Sequence, residues 1–341
     1  MARRFAWASL SDPQLLALRL KDLRVGIRGT WLEDCVADLH REMGNKGIRI
    51  RPHAWISDEW FSPSNTPGIA IPFYLTHPRL MRLERKKIID VEGGSAAECM
   101  RILRHEAGHV MQHAFQLHHR RRWQETFGPS SSTPYPKHYR PNPRSKRYVR
   151  HLRLWYAQSH PDEDFAETFA VWLTPRSNWR KRYTGWPALK KLQYVDELMK
   201  EIGKRKPVLK RRFQVDPANR STRTLAQHYR KKQSLYLDDS PRGYDRDLRS
   251  IFSSEPKSSR SIAAATFLEK NRVRIRRKVA KATGEYQLTL DDVLDEIIRR
   301  CRALKLRTMG SQRQLLRDFT VLLTARTLHS LYSPSRRSFA L

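Results

Sequence analysis

The sequence predicts an α+β fold, with a small sheet beside a long buried helix, followed by a mainly helical, basic C-terminal extension. Three observations carry this. Apolar residues recur mostly at helical spacing, strand-like alternation is confined to residues 46–78, and the composition turns basic and polar near residue 204. A length of 341 residues allows about two domains. The boundaries read as 1–203 for the core domain, 204–224 for a basic linker and 225–341 for the extension.

At the N-terminus, Ser11, Asp12 and Pro13 interrupt a weakly apolar stretch and read as a cap followed by a helix, not as a secretion signal. Residues 30–44 carry Leu32, Val36 and Leu39 at helical spacing, with Gly44 as a stop. Residues 46–56 alternate and predict a strand. A turn-rich stretch leads to a second predicted strand over 69–78, where Pro72 cannot donate to a ladder and so predicts a sheet edge. A long helix is expected over 95–117, because Leu103, Ala107, Val110 and Ala114 form one apolar face. The basic, proline-containing stretch 118–150 reads as a loop. The next helix follows Ser159, with Pro161 and the acids 162–164 suiting its positive N-terminal end. Another helix covers 186–203. In the extension, 289–306, capped by Thr289, and 311–332 are helical, and 333–341 reads as a frayed end.

The formal charge is +33, concentrated at 120–153, 204–212 and 270–281. Such charge favours polyanions by counterion release and steering, so nucleic acid is a candidate partner, although no base-reading motif accompanies it. Cys35, Cys99 and Cys301 are far apart and odd in number, which implies no disulfide framework and a reducing, cytoplasmic setting. No apolar run reaches the roughly eighteen residues that a membrane span needs.

The segment LRHEAGHVMQHAF places His105 and His109 one helical turn apart, so both imidazoles point the same way and can hold one zinc ion. Glu106, just off that axis, is placed to take a proton from an attacking water and pass it to a leaving amine. Gly108 adds no side-chain bulk between the histidines. A catalytic zinc usually takes a third protein ligand. His113 lies a further turn along, His118 and His119 begin a loop, and Phe115 stands where the HExxHxxGxxH pattern has its last histidine. The downstream HPDEDFAETFA is the better source. Glu163 and Glu167 share a helix face, one able to bind the metal and the other to accept an N–H from a ligand histidine.

HEAGH followed by HPDEDFAETFA resembles the glutamate zincins, most closely a bacterial family of zinc-binding metallopeptidases with an HExGH helix and an HPxEDFAETFA helix. The catalytic domain of anthrax lethal factor has a similar ligand helix. The resemblance covers about residues 68–173. It implies a zincin-like core with His105, His109 and Glu163 as ligands of one zinc per chain. It also implies Glu106 as general base and Glu167 as the acid behind a ligand histidine. Tyr156 matches the position of a catalytic tyrosine that stabilises the oxyanion. It further implies a peptide or protein substrate, cut internally and bound by strand addition to 68–75. The competing expectation is a nucleic-acid- or ribosome-associated binding protein that uses the zincin fold as a scaffold.

Overall fold

The computed structural model describes residues 5–136, 138–139, 141–142, 144–236, 244–254, 261–332 and 338–339. The chain is mixed but mostly helical, and it divides into two compact units, Met1–Lys231 with Ser338–Leu341, and Lys232–Arg337.

In the first unit, Ser11 and Gln14 form a capping box at the start of the short helix Asp12–Ala17, with Pro13 in its first turn. Helix α1 (Trp31–Asn45) follows a Thr30 cap and buries Leu32, Cys35, Leu39 and Met43. Strand β1 (His53–Ser57) is shorter than its alternating sequence suggests. Ile48 and Ile50 are buried, but the backbone before them is spent elsewhere: Ile48 N–H bonds Met43 O, and Arg49 N–H bonds Gly203 O at 2.8 Å.

Strand β2 (Gly68–Pro72) pairs parallel to β1, from His53↔Gly68 to Ser57↔Pro72. It ends at Pro72, where the missing donor stops the ladder, and a 3-10 turn covers Phe73–Thr76. β2 lies at a sheet edge, as expected, because β1 is its one paired strand among the described residues, yet the free side is partly covered. All five of its residues are buried, and Phe61 bridges Ala70 on the side away from β1, with Ala70 N–H bonding Phe61 O at 2.8 Å. Pro72 is tolerated because it is the last residue of the strand, and the single Phe61 bridge takes up part of the side at which strand addition is expected.

Helix α2 (Pro78–Ile88), not anticipated, precedes helix α3 (Ala96–Ala114), which is capped by Ser95. Stretch 118–150 is more than a loop. Helix Arg121–Phe127 buries Trp123 and Phe127 against Phe165, at ring separations of 5.8 and 5.4 Å. Each such aromatic contributes roughly 1.5–3 kcal/mol by burial. Phe165 belongs to helix α4 (Pro161–Leu173), whose residues from Asp162 onward are all buried. Helix α5 (Ala188–Ile202) packs on α4 and places Lys191 against the buried Asp164. Cys35 and Cys99, distant in sequence, meet where α1 packs on α3, and their thiols hydrogen-bond.

Residues 204–216, expected as linker, lie against this unit without regular secondary structure. Val208 N–H bonds Ala114 O, and Thr66, Trp55 and Ser57 side chains bond the carbonyls of Arg211, Val215 and Asp216 at 3.1, 2.9 and 2.7 Å. Helix Leu225–Tyr236 follows.

The second unit contains helices α6 (Asp245–Ile251), α7 (Ala264–Thr283), α8 (Gln287–Ala303) and α9 (Gln312–Tyr332) around Leu248, Phe267, Ile275, Leu294, Ile298 and Phe319. Helix α8 starts earlier than expected. Tyr286 is its cap, and Thr289 sits buried inside it. Of the expected frayed end, 333–337 and 340–341 lie outside the described residues, while Ser338–Phe339 pairs antiparallel with His138–Tyr139.

Helices α3 and α4 approach so closely that a Cβ on Gly108 would lie 2.7 Å from Ala166 Cα and 3.1 Å from Ala166 O. The glycine serves backbone contact between helices, not merely clearance around a metal. Gly108→Ala is therefore expected to cost about 1–3 kcal/mol and to lower the midpoint of thermal unfolding by about 2–4 °C per kcal/mol. Gly44→Ala, where an added Cβ meets nothing within 4 Å, is expected to raise the midpoint, by up to about 0.5–1 kcal/mol of stabilisation. Calorimetry on the two variants checks the opposite signs.

Candidate metal centre

The 3.6-residue period of α3 turns His105 and His109 to one side, and the same period in α4 turns Glu163 and Glu167 back towards them. All four are buried. His105 Nε2 lies 3.1 Å from Glu163 Oε2, His109 Nε2 lies 3.2 Å from the same oxygen, and the two Nε2 atoms are 3.1 Å apart. Among the described residues, these three side chains form the one group with donor atoms close enough to share a metal ion.

Behind the cluster, Glu167 accepts from His105 Nδ1 at 3.0 Å and from the backbone N–H of Leu152 at 2.8 Å. This bond places the His105 proton on Nδ1 and leaves the Nε2 lone pair facing the Glu163 oxygen. Three electron-pair donors then converge on one buried point, an arrangement that a cation stabilises. Without a metal, protons serve instead. Burial works against charge on His105, but Glu163 and Glu167 outweigh it and hold its pKa well above the ordinary imidazole value. His109 is raised in the same way by Glu163. Burial would raise Glu163, yet the His109 and His105 imidazoles bring it below the usual carboxylate range.

Glu106 is buried beside the cluster, and its Oε2 has no hydrogen-bond partner. A buried polar oxygen left unpaired costs about 1–3 kcal/mol, more when charged. The donor set therefore fits zinc: two imidazole nitrogens and one carboxylate oxygen, a hydrogen-bonded carboxylate behind a ligand, and an unpaired carboxylate alongside.

Tyr156 is brought to the same place, its ring 5.7 Å from that of His105. The turn that presents it is strained. Leu154 and Trp155 both hold φ of 54°, in the left-handed region, at roughly 1–2 kcal/mol per residue. Tyr139 Oη donates to Leu154 O at 2.9 Å, and the Leu152 bond to Glu167 anchors the other end. Burial and the Glu163 charge raise the Tyr156 pKa, so its hydroxyl keeps the proton.

The other histidines stay out of the donor group. His113 stacks on His109 at 6.2 Å between centroids, and burial pushes its pKa down to about 4. His118 and His119 follow the left-handed Gln116 at the end of α3.

Sequence reasoning missed several residues around the centre. Gln112 donates to Asp162 across the helix pair. Lys191 binds Asp164, whose carboxyl burial pushes up to about 7 against the opposing lysine charge. His160 caps α4 by accepting from Asp162 N–H at 3.2 Å, a role its place just before Pro161 could have signalled. Tyr135 donates to Glu163 Oε1 at 2.9 Å, and nothing in its local sequence marks it.

Residues 99–183 match the model of a family described as "putative zinc-binding metallo-peptidase", the family whose two helix motifs the sequence resembles. The matched span takes in α4, the Tyr156 turn and most of α3, and it ends before the strap at 204–216. No curated protein and no solved structure matches the chain.

Proposed function

We propose that this chain is a cytoplasmic zinc-dependent metallopeptidase with a zincin-like core, cutting internal peptide bonds of a peptide or protein substrate. One zinc per chain would be held by His105, His109 and Glu163. The observation that carries the reading is the convergence of those three donors beside the buried, unpartnered Oε2 of Glu106. When bound, zinc supplies Lewis-acid polarisation of a peptide carbonyl and of water. The chain's own residues do the rest. Glu106 takes the proton of the attacking water and delivers it to the departing amine, so one carboxylate serves as base and then as acid. Tyr156 donates a hydrogen bond to the oxygen that gains negative charge at the tetrahedral stage. Glu167 holds His105 in the tautomer that leaves Nε2 free.

A second reading concerns the charge, and one observation favours a specific surface for it. The basic run on α7 is sorted between two faces. Arg272 and Arg276 pair with Asp291 and Asp295 on α8, whereas Lys270, Arg274, Arg277, Lys278 and Lys281 are exposed along one stripe without an ion pair among the described residues. By contrast, the run at 120–153 is partly neutralised by Arg120–Glu201, Arg122–Glu197 and Arg153–Asp90. We propose that the α7 stripe binds polyanions without base specificity.

Elemental analysis of the purified protein is expected to give one zinc per chain, and His105→Ala to lose most of it. Glu106→Gln is expected to keep the metal while peptidase turnover disappears, because an amide cannot accept the proton. Turnover near the wild-type rate in that variant would remove Glu106 from the chemistry. Glu163→Gln should weaken the metal directly, whereas Glu167→Gln should cost roughly 10–100-fold in affinity or activity. The reverse ranking would make Glu167 the ligand.

Duplex DNA binding, followed by anisotropy across a salt series, is expected to weaken with a log–log slope of about −0.9 per phosphate contacted. Neutralising Arg274, Arg277 and Lys278 together should flatten that slope, and an unchanged slope would assign the stripe to solvation alone.

A further inference from the structure

The carboxylate of Glu163 has two oxygens, and only Oε2 faces the histidines, at 3.1 Å from His105 Nε2 and 3.2 Å from His109 Nε2. The other oxygen, Oε1, accepts from the phenol of Tyr135 at 2.9 Å. The same phenol lies 3.5 Å from Asp162 Oδ2. Tyr135 comes from the stretch between helix Arg121–Phe127 and α4, so the bond crosses from a connecting segment to a buried carboxylate.

That segment is fastened by the cap of α4. The Tyr135 ring stacks on the His160 imidazole, with 3.8 Å between centroids and 17° between planes. Both nitrogens of His160 are committed. Nδ1 accepts from Asp162 N–H, so Nε2 carries the proton and donates to Thr133 O at 2.8 Å. Thr133 and Tyr135 are thus both pinned to the residue that starts the ligand helix, and the phenol is aimed by a ring that cannot itself turn.

A carboxylate near a divalent cation can bind through one oxygen or both, and a hydrogen bond to one oxygen favours the other as donor by engaging one of its lone pairs and drawing off its electron density. We propose that Tyr135 is a positioning residue for the metal: it holds Glu163 Oε1 and leaves Oε2 as the single oxygen presented to the cation. This rests on the zinc reading above. It gives the segment 129–136 a defined task in metal affinity, separate from the oxyanion role assigned to Tyr156. Hydrogen bonds to metal-ligating carboxylates typically contribute 10–100-fold in affinity.

The test uses the full chain and Tyr135→Phe, which keeps the ring on His160 and removes only the hydroxyl. Zinc affinity is measured by competition with a chromophoric chelator, and cobalt(II) is titrated in parallel for its visible absorption. The expected result is affinity lower by roughly 10–100-fold, together with a cobalt spectrum of lower intensity as the freed carboxylate adds its second oxygen. Unchanged affinity overturns the proposal. Weaker affinity with the wild-type cobalt spectrum also overturns it, since a purely structural role would loosen the site without altering the coordination. Thermal unfolding of the metal-free variant verifies that it folds, and if it does not, Tyr135→Trp, which keeps an aromatic ring for His160 but no phenol, is read by the same two measurements. Failure of the wild-type protein to bind either metal would instead sink the zinc reading, a result distinct from a wild-type and variant that bind equally.

Discussion

The contact on which the centre depends is the meeting of two helix backbones at Gly108 and Ala166, with no side chain between them. From that contact outward the helices pair in rungs. His105 faces Glu167, His109 faces Glu163, and Gln112 faces Asp162, with sequence number rising on α3 as it falls on α4. The helices are therefore antiparallel at this seam, and the i, i+4 spacing of the histidines is matched by the i, i+4 spacing of the glutamates. A methyl group at position 108 would separate the backbones, and every rung spans only about 3 Å of hydrogen-bond contact. Donors on two helices can share one point only because the helices touch.

Polar groups buried this densely require partners, and the structure supplies them from several elements. Glu167 serves His105 with one oxygen and the backbone of Leu152 with the other. It thereby links the tautomer of His105 to the turn that carries Tyr156, so that an imidazole on α3 and a phenol outside both helices share one anchor. The left-handed pair Leu154–Trp155 shows that this turn is over-determined by its surroundings: two non-glycine residues hold an unfavourable conformation because bonds on either side of them fix it. Glu106 Oε2, like Gln112 Oε1 and Asp164 Oδ1, is buried without a hydrogen-bond partner.

Much of this was legible in the sequence, for a physical reason. The histidines, Glu106, Glu163 and Glu167 are read from helical period, and that period survives folding unchanged. The start of α3 and the proline start of α4 followed from local rules as well, although α3 ends at Ala114, three residues before the expected Leu117. What was not legible depended on partners far away in the chain. Tyr135 acquires its role through a stack on His160 and a bond to Glu163, neither of which leaves a local pattern. Alternation over 46–56 predicted a longer strand because Ile48 and Ile50 are indeed buried, but the N–H of Ile48 bonds to a helix end and that of Arg49 to Gly203. Pro72 did mark a sheet edge, because proline lacks a donor, but it did not show that the strand would also end there. The basic stretch 204–216 was read by its composition, which says nothing about where its carbonyls go.

Those carbonyls have a consequence for how the sequence can vary. The strap is held largely through its main chain: Thr66, Trp55 and Ser57 bond oxygens of Arg211, Val215 and Asp216 that any residue would offer. The side chains of Lys204, Lys206 and Lys210 are exposed, and of the strap's basic side chains Arg212 donates to Arg51 O at 3.2 Å. Apart from Arg212, attachment and surface charge are thus separate properties of the same few residues. Such a segment is free to drift between basic, neutral and acidic compositions while keeping its seat. Its present charge is a trait that selection can tune without touching the fold.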